Sequence, residues 1–201
     1  MRIGKKLLLC LMITALLVPA SAMMASAQEK VFKVICFAPT TGGSAKSGEE
    51  IKNAATMVFE KIGHKIGDYK IELIHVDEQG DPAKGSQAYL EAIERKGAQA
   101  GFMNWNSGPL LAAWDIMNMK KVPHFFVLGD NQKMVDRWNK EKKEMGWKPP
   151  YMMTKSWPVP AKLTKIYADA IAAWEKSGKF KPAKKIVALA GEDQDWGLEM
   201  M

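Results

Sequence analysis

The chain has 201 residues, a formal net charge of +7, 47% hydrophobic residues and two cysteines. Three positive charges (Arg2, Lys5, Lys6) fall in the first six residues, so the remainder carries 7 − 3 = +4. Its lysines alternate with glutamates, as in Lys140-Glu141-Lys142-Lys143-Glu144, which is a solvated face and excludes a nucleic-acid groove. The length holds one domain, or one domain and the start of another.

The first 27 residues read as an address. A cationic start (1–6) leads into an apolar run (7–20), and Ala25-Ser26-Ala27 offers a small-x-small cleavage site before Gln28. The run is too short and wrongly flanked for a membrane span. Cys10 follows Leu9 and not a small residue, which excludes a lipoprotein anchor. The reading is a secretory signal cleaved after Ala27, an extracytoplasmic location and no cytosolic chemistry. The mature chain keeps one cysteine, Cys36, in an apolar strand; alone it forms no internal disulfide and reads as a buried, inert thiol.

Residues 31–38 are β-branched and aromatic, a strand, and Pro39-Thr40-Thr41-Gly42-Gly43-Ser44 is loop chemistry. From about Glu49, Ile51, Ala54, Ala55, Val58, Phe59 and Ile62 recur at helical spacing until Gly63 and Gly67. A second strand spans 70–76. Asp81 then caps a helix with Pro82 at its first position and a stripe of Ala88, Tyr89, Ala92 and Ile93, ended by Gly97. The third strand, 98–103, leads through Asn104-Trp105-Asn106-Ser107-Gly108-Pro109 into an apolar helix at 110–119. A fourth strand (122–128) and Gly129-Asp130-Asn131 precede a helix through Met134, Val135 and Trp138. A short strand at 151–154, a helix marked by Leu163, Ile166, Tyr167, Ala170, Ile171 and Trp174, and a strand at 185–190 complete the order. Trp114, Trp138 and Trp174 lie at helical spacing and read as core.

Alternating strand and helix specify an α/β fold, a parallel sheet covered on both faces. Ligands then bind beyond the carboxyl ends of the strands, where three polar turns fall: 40–48, 104–109 and 129–131. At Ser107 the strand–turn–helix order places N–H groups and a hydroxyl where the helix N-terminus favours an anion. Two readings of Ser107 stay open, an N-cap and an anion ligand. A sheet of this type should not stop at Met201, in the first turns of a helix, so the sequence reads as an N-terminal fragment.

Other chemistries fail on spacing. Thr41-Gly42-Gly43-Ser44-Ala45-Lys46-Ser47 lacks the glycines of a phosphate loop, having Ala45 and Thr40 at those positions. No Gly-x-Ser-x-Gly elbow occurs. His64, His75 and His124 have no partner at metal-ligand spacing, and His75 and His124 read as core. Asp77 and Asp81, beside Glu78, are explained by capping and turn formation. No metal and no cofactor is expected.

Four stretches resemble, in order, the branched-chain-amino-acid type of periplasmic binding protein. They are Phe37-Ala38-Pro39-Thr40-Thr41-Gly42-Gly43 with Ala45, Gly48 and Asn53-Ala54-Ala55; Ile71-Glu72-Leu73-Ile74 with Asp77-Glu78-Gln79-Gly80-Asp81-Pro82-Ala83-Lys84; Asn106-Ser107-Gly108 with Val122-Pro123-His124-Phe125; and Asp193-Gln194-Asp195-Trp196-Gly197. The resemblance covers residues 30–201. It implies a type I fold of two Rossmann-like lobes joined by a hinge and closing on a small ligand, as the solute receptor of an ABC importer. The domains implied are a signal (1–27), a first lobe (28–155), a hinge crossover and helix (156–184) and the start of a second lobe (185–201). Ser107 then matches the serine bonding the ligand carboxylate, with the Gly108 N–H and Asn106 beside it. Gly129, Asp130 and Asn131 match the segment holding the ligand's amino or other polar group. Ser47 stands where an aromatic ligand contact is frequent, Trp196 where the second lobe supplies an aromatic, and Trp157 at the cleft mouth.

The sequence departs from that pattern at Asp130, where small residues are common, and at Trp105 before the turn. Asp130 suits either a cationic ligand head or a helix cap, and Trp196 either a ligand contact or a packed aromatic. The expected partners are a small amino acid or related carboxylate or amide and the importer's permease subunits, with no nucleic acid. A ligand-sensing domain of the same fold and an exported hydrolase using Asp77 or Asp130 are the alternatives, the latter without a nucleophile-and-base pair.

Overall fold

The run KVFKVICFA forms the central strand β1 (Lys30–Ala38), and its alternation sorts the core into two layers. The structure is a computed structural model, which describes residues 29–126, 131–145, 152–154, 158–184, 186 and 197–198. The chain divides after Lys30 into two units, and all elements but the first residue of β1 lie in the second.

The order is β1, α1 (Ala45–Lys61), β2 (Lys65–Ile66), β3 (Tyr69–Asp77), α2 (Pro82–Glu94), β4 (Ala100–Phe102), α3 (Ser107–Lys120), β5 (His124–Phe125), α4 (Gln132–Glu144), β6 (Met152–Thr154) and α5 (Pro160–Lys176). The strands form one sheet in the order β2-β3-β1-β4-β5-β6. β1 with β4, β4 with β5 and β5 with β6 are parallel, with Cys36 opposite Phe102 and Gly101 opposite His124. The chain therefore runs to one side of β1 through α1 and back to the other through α2, the reversal that opens a crevice at the strands' carboxyl ends.

Ile35 and Phe37 point into the larger cluster, with Ile74, Val76, Tyr89 and Ala92 and with Leu110, Ala113, Trp114 and Met117 from α3. Cys36 and Ala38 point to the opposite face, against Ile51 and Ala55 of α1. Burial on both faces explains why the end of β1, Val34 to Ala38, reads as an unbroken apolar run. Each large side chain so buried contributes about 1.5–3 kcal/mol. Cys36 is buried as expected, and burial pushes its thiol up to about 12, which keeps it unreactive at neutral pH.

Four expectations need correction. The helix expected from about Glu49 begins at Ala45, because Gly48 belongs inside it: a Cβ there would lie 1.8 Å from the Pro39 carbonyl oxygen. A glycine placed by the sequence in the polar turn 40–48 is a close-packing contact between α1 and the residue after β1. The second correction is β2, which pairs antiparallel with β3 through a two-residue turn at Gly67-Asp68; two residues are too few to show a period, although Gly-Asp is a hairpin signal. Third, the strands expected at 98–103 and 122–128 shrink to three and two residues, with 127–130 outside the described residues. Fourth, Trp114 is fully buried and Trp138 packs on the core, but Trp174 is 55% exposed. Leu163 of α5 is buried, while Ile166, Tyr167 and Ile171 are exposed with Trp174. Periodicity shows that a helix has an apolar face, not what covers it. The strand expected at 185–190 lies outside the described residues.

Candidate functional site

Two adjacent carboxylates at the end of β3 set the shape of the loops on either side. Asp77 Oδ1 accepts the N–H groups of Thr40 (2.8 Å), Thr41 (3.2 Å) and Gln79 (3.1 Å), and Oδ2 accepts the Thr41 hydroxyl at 2.6 Å. Burial pushes this carboxyl up, but those bonds, led by the Thr41 hydroxyl, outweigh it and hold its pKa below the ordinary value. Asp77 thus pins the loop between β1 and α1, and Asp81 caps α2 through the N–H groups of Ala83 and Lys84 (2.9 and 3.0 Å), both as turn chemistry predicts.

Glu78 faces the other way. It is fully buried, and its Oε1 accepts the N–H groups of Asn106 (3.0 Å) and Trp105 (3.3 Å) and the Asn106 side-chain amide (3.4 Å). Its Oε2 is buried with no hydrogen-bond partner. Burial pushes the carboxyl up to about 7, against the bonds from Asn106 and Trp105 and with a smaller push from Asp77. Sequence reasoning missed this residue: it lies in a turn already explained by its neighbours, and its partners are 27 and 28 residues away.

The turn that Glu78 holds is strained at its base. Met103 follows β4 with φ +66, a left-handed conformation costly for a residue with a side chain. His124 supports it. Since a carbonyl can only accept, Nε2–H donates to the Met103 carbonyl (2.7 Å), which leaves Nδ1 to accept the Tyr89 hydroxyl (3.0 Å). Burial drives the His124 pKa down to about 4, so it is the neutral core histidine expected from its apolar surroundings.

Ser107 is not the N-cap. That position is Asn106, whose side chain makes no capping bond, and Ser107 is the first residue of α3. The Ser107 side chain is 1% exposed and its Oγ has no hydrogen-bond partner, while Gly108 is partly exposed. With Pro109 lacking an N–H, the start of α3 presents the amides of Ser107 and Gly108 without a side-chain cap. After the neighbouring strand β5, Asn131 caps α4 by accepting the Met134 N–H at 3.0 Å, and its buried Nδ2 has no partner.

The parallel pairings put the starts of α1, α3 and α4 at the carboxyl edge of three neighbouring strands, β1, β4 and β5. Ser47 lies in the first turn of α1, half-buried. This edge therefore gathers Ser47, Asn106, Ser107, Gly108 and Asn131. Gly129, Asp130, Trp157 and Trp196 lie outside the described residues. Among the described residues no cluster of three or more His, Cys, Asp or Glu could hold a metal, and no helix is long and apolar enough to cross a membrane. An uncapped helix start with an orphan hydroxyl, beside a second helix start with an orphan amide donor, suits a small anion with a further polar group.

This fold is that of the periplasmic binding proteins. The Periplasmic binding protein family model matches residues 33–201, and the chain belongs to that family, with its type I fold. Among solved structures it is similar to a solute-binding protein of an ABC transporter from Rhodopseudomonas palustris BisB5 in complex with 3,4-dihydroxybenzoic acid (TM-score 0.66, 24% identity, 85% of this chain and 41% of that chain). It is similar also to an R. palustris solute-binding protein in complex with 4-hydroxybenzoate (0.65, 17%, 85% and 41%) and to a leucine-binding protein from Thermotoga maritima MSB8 (0.61, 19%, 84% and 43%). The chain thus spans about two fifths of the length of these solved structures. No curated protein sequence matches it.

Proposed function

We propose that this chain is the ligand-capturing first lobe of an extracytoplasmic solute receptor that takes a small carboxylate and delivers it to an ABC importer. The observation that carries the reading is the start of α3: an orphan Ser107 hydroxyl beside uncapped amides at the carboxyl edge. A carboxylate would accept the Gly108 N–H and, once the Ser107 side chain rotates outward, its hydroxyl. Asn131, with Gly129 and Asp130 in the preceding segment of the sequence, would hold the ligand's other polar group, and Ser47 would line the near wall. A second lobe beginning near residue 185 and reached through 156–184 would bring Trp196 over the ligand and Trp157 to the mouth, closure excluding water from the anion. In this reading the chain binds and does not catalyse, and it leaves the cytoplasm on a signal cleaved after Ala27.

The solved structures include proteins holding hydroxybenzoates and one named for leucine, and all those ligands share a carboxylate. The class proposed is accordingly a small carboxylic acid, amino or aromatic. A thermal-shift panel tests it. Leucine, 4-hydroxybenzoate and 3,4-dihydroxybenzoate are compared with their primary amides, and at least one acid is expected to raise Tm while its amide does not. Equal shifts for acid and amide, or none across the panel, would overturn the reading.

A further inference from the structure

Glu78 is the buried group that ligand capture leaves without a task. Its Oε1 collects three N–H groups from Trp105 and Asn106, the two residues immediately before Ser107, and its Oε2 is buried without a partner. An ionised oxygen buried with no donor is far more costly than a neutral hydroxyl in the same place. The helix start beside it is also the place offered to a ligand anion, so an ionised Glu78, holding the amides of residues 105 and 106, and a carboxylate on the next amides of the same turn would repel each other.

We propose that Glu78 is a positioning residue for anion capture: as a neutral acid it holds the turn at Trp105 and Asn106 so that α3 presents its amides and Ser107, and binding an anion there takes up a proton on Glu78. The proposal rests on the carboxylate reading above. The surroundings agree with it. On β3 the charged neighbour is Asp77, which also disfavours ionisation. In the following turn, Asp81 is turned to the amides of Ala83 and Lys84, and the exposed Lys84 of α2 acts on Asp81. The remaining neighbours are uncharged: Gly85 of α2, whose added Cβ would lie 3.4 Å from the Glu78 Cβ; the end of β1 at Ala38, whose carbonyl accepts the Glu78 N–H at 3.3 Å; and Trp105 and Asn106. Among the described residues no cation acts on Glu78. With its carboxyl poised at about 7, a neighbouring anion shifts its proton occupancy near neutral pH.

The test is calorimetric titration of leucine and 4-hydroxybenzoate at pH 6, 7 and 8, in pairs of buffers of different ionisation enthalpy, on wild type, Ser107→Ala, Glu78→Gln and Glu78→Ala. It is joined by pH titration of the backbone amide resonances of residues 105 and 106. In wild type, binding near pH 7 should take up a fraction of a proton and weaken about fivefold from pH 6 to pH 8, as it does when a bound anion makes Glu78 about tenfold harder to ionise. Glu78→Gln should bind as wild type does at pH 6, without uptake or slope, whereas Glu78→Ala, which leaves the turn without an acceptor, should bind more weakly at every pH. The amides of 105 and 106 should titrate near pH 7 in wild type and not in Glu78→Gln. Binding that needs Ser107 but shows no uptake and no slope would overturn the role of Glu78 and leave the carboxylate reading standing. Failure of both probes to bind wild type would overturn both. Should Glu78→Gln not fold, absence of the wild-type amide titration overturns the proposal by itself.

Discussion

Among the described residues, three at the carboxyl edge are buried with a polar atom unpaired: Glu78, Ser107 and Asn131. Two groups below that edge have pKa values displaced in opposite senses. His124 is lowered to about 4, so folding is favoured by its neutral form, and the stability it contributes is lost as pH falls from about 6.5 towards 4. Glu78 is raised to about 7, so its contribution is lost as pH rises from about 4.5 to 7. Each is worth on the order of 3 kcal/mol, and between pH 4.5 and 6.5 the two slopes oppose. Wild-type stability should therefore vary little across that window, whereas Glu78→Gln should lose stability on acidification from pH 6.5. Urea denaturation at a series of pH values decides this, and parallel profiles for the two proteins would contradict it. Glycine substitutions probe the packing beneath. At Gly101 a Cβ would lie 2.4 Å from His124 Nδ1 and 2.6 Å from the Tyr89 hydroxyl, and at Gly48 1.8 Å from backbone. Gly48→Ala should cost about 1–3 kcal/mol or more, since backbone cannot yield as a side chain does, and a change below about 0.5 kcal/mol would contradict the close approach.

At the scale of elements, α3 and α4 are joined by a polar clamp over a buried indole. Glu141 accepts the Trp114 Nε1–H (2.8 Å), the Asn118 amide (3.0 Å) and Arg137 Nε–H (2.8 Å), while the Arg137 guanidinium lies 4.9 Å from the Trp114 ring centroid and also bonds Asp115. Glu141→Ala leaves an indole N–H and an amide without their acceptor and should cost about 1–3 kcal/mol. Asp115→Ala breaks an exposed ion pair and should cost under about 1 kcal/mol. Chemical denaturation of the two variants separates them, and equal losses would refute the clamp. Capping shows how far sequence reaches at this scale. Asp81 before Pro82 was legible because a cap needs only its own next three residues. Ser107 was not, since whether Asn106 or Ser107 ends the turn is decided by Glu78, 28 residues earlier in the chain. Ser-Gly-Pro specifies where a helix begins; a tertiary contact decides which residue is left unpaired.

For the molecule as a whole, the order of strands and helices was legible from Lys30 to Lys176 because each helix repeats its period several times and the short strands between them are apolar runs bounded by turn residues. The exceptions were β2, with two residues, and the first turn of α1, whose Gly48 reflects contact with Pro39. The apolar stripe of α5 was legible, but its covering was not. Among the described residues Ile166, Tyr167, Ile171 and Trp174 remain exposed. Ile166→Lys should therefore change the stability of this chain by no more than about 0.5 kcal/mol, whereas Leu163→Ala, at a buried position of the same helix, should cost about 2 kcal/mol or more. A large loss for Ile166→Lys would show that this face is covered.

The central claim is that the start of α3 holds a ligand carboxylate, and the most direct measurement is the dissociation constant of 4-hydroxybenzoate and of leucine for wild type and Ser107→Ala by titration calorimetry, with circular dichroism confirming equal folding. Loss of a hydrogen bond to a charged group, worth about 1.5–3 kcal/mol, predicts affinity roughly ten- to a hundredfold weaker in Ser107→Ala for whichever acid binds. Equal affinities in two equally folded proteins would contradict it.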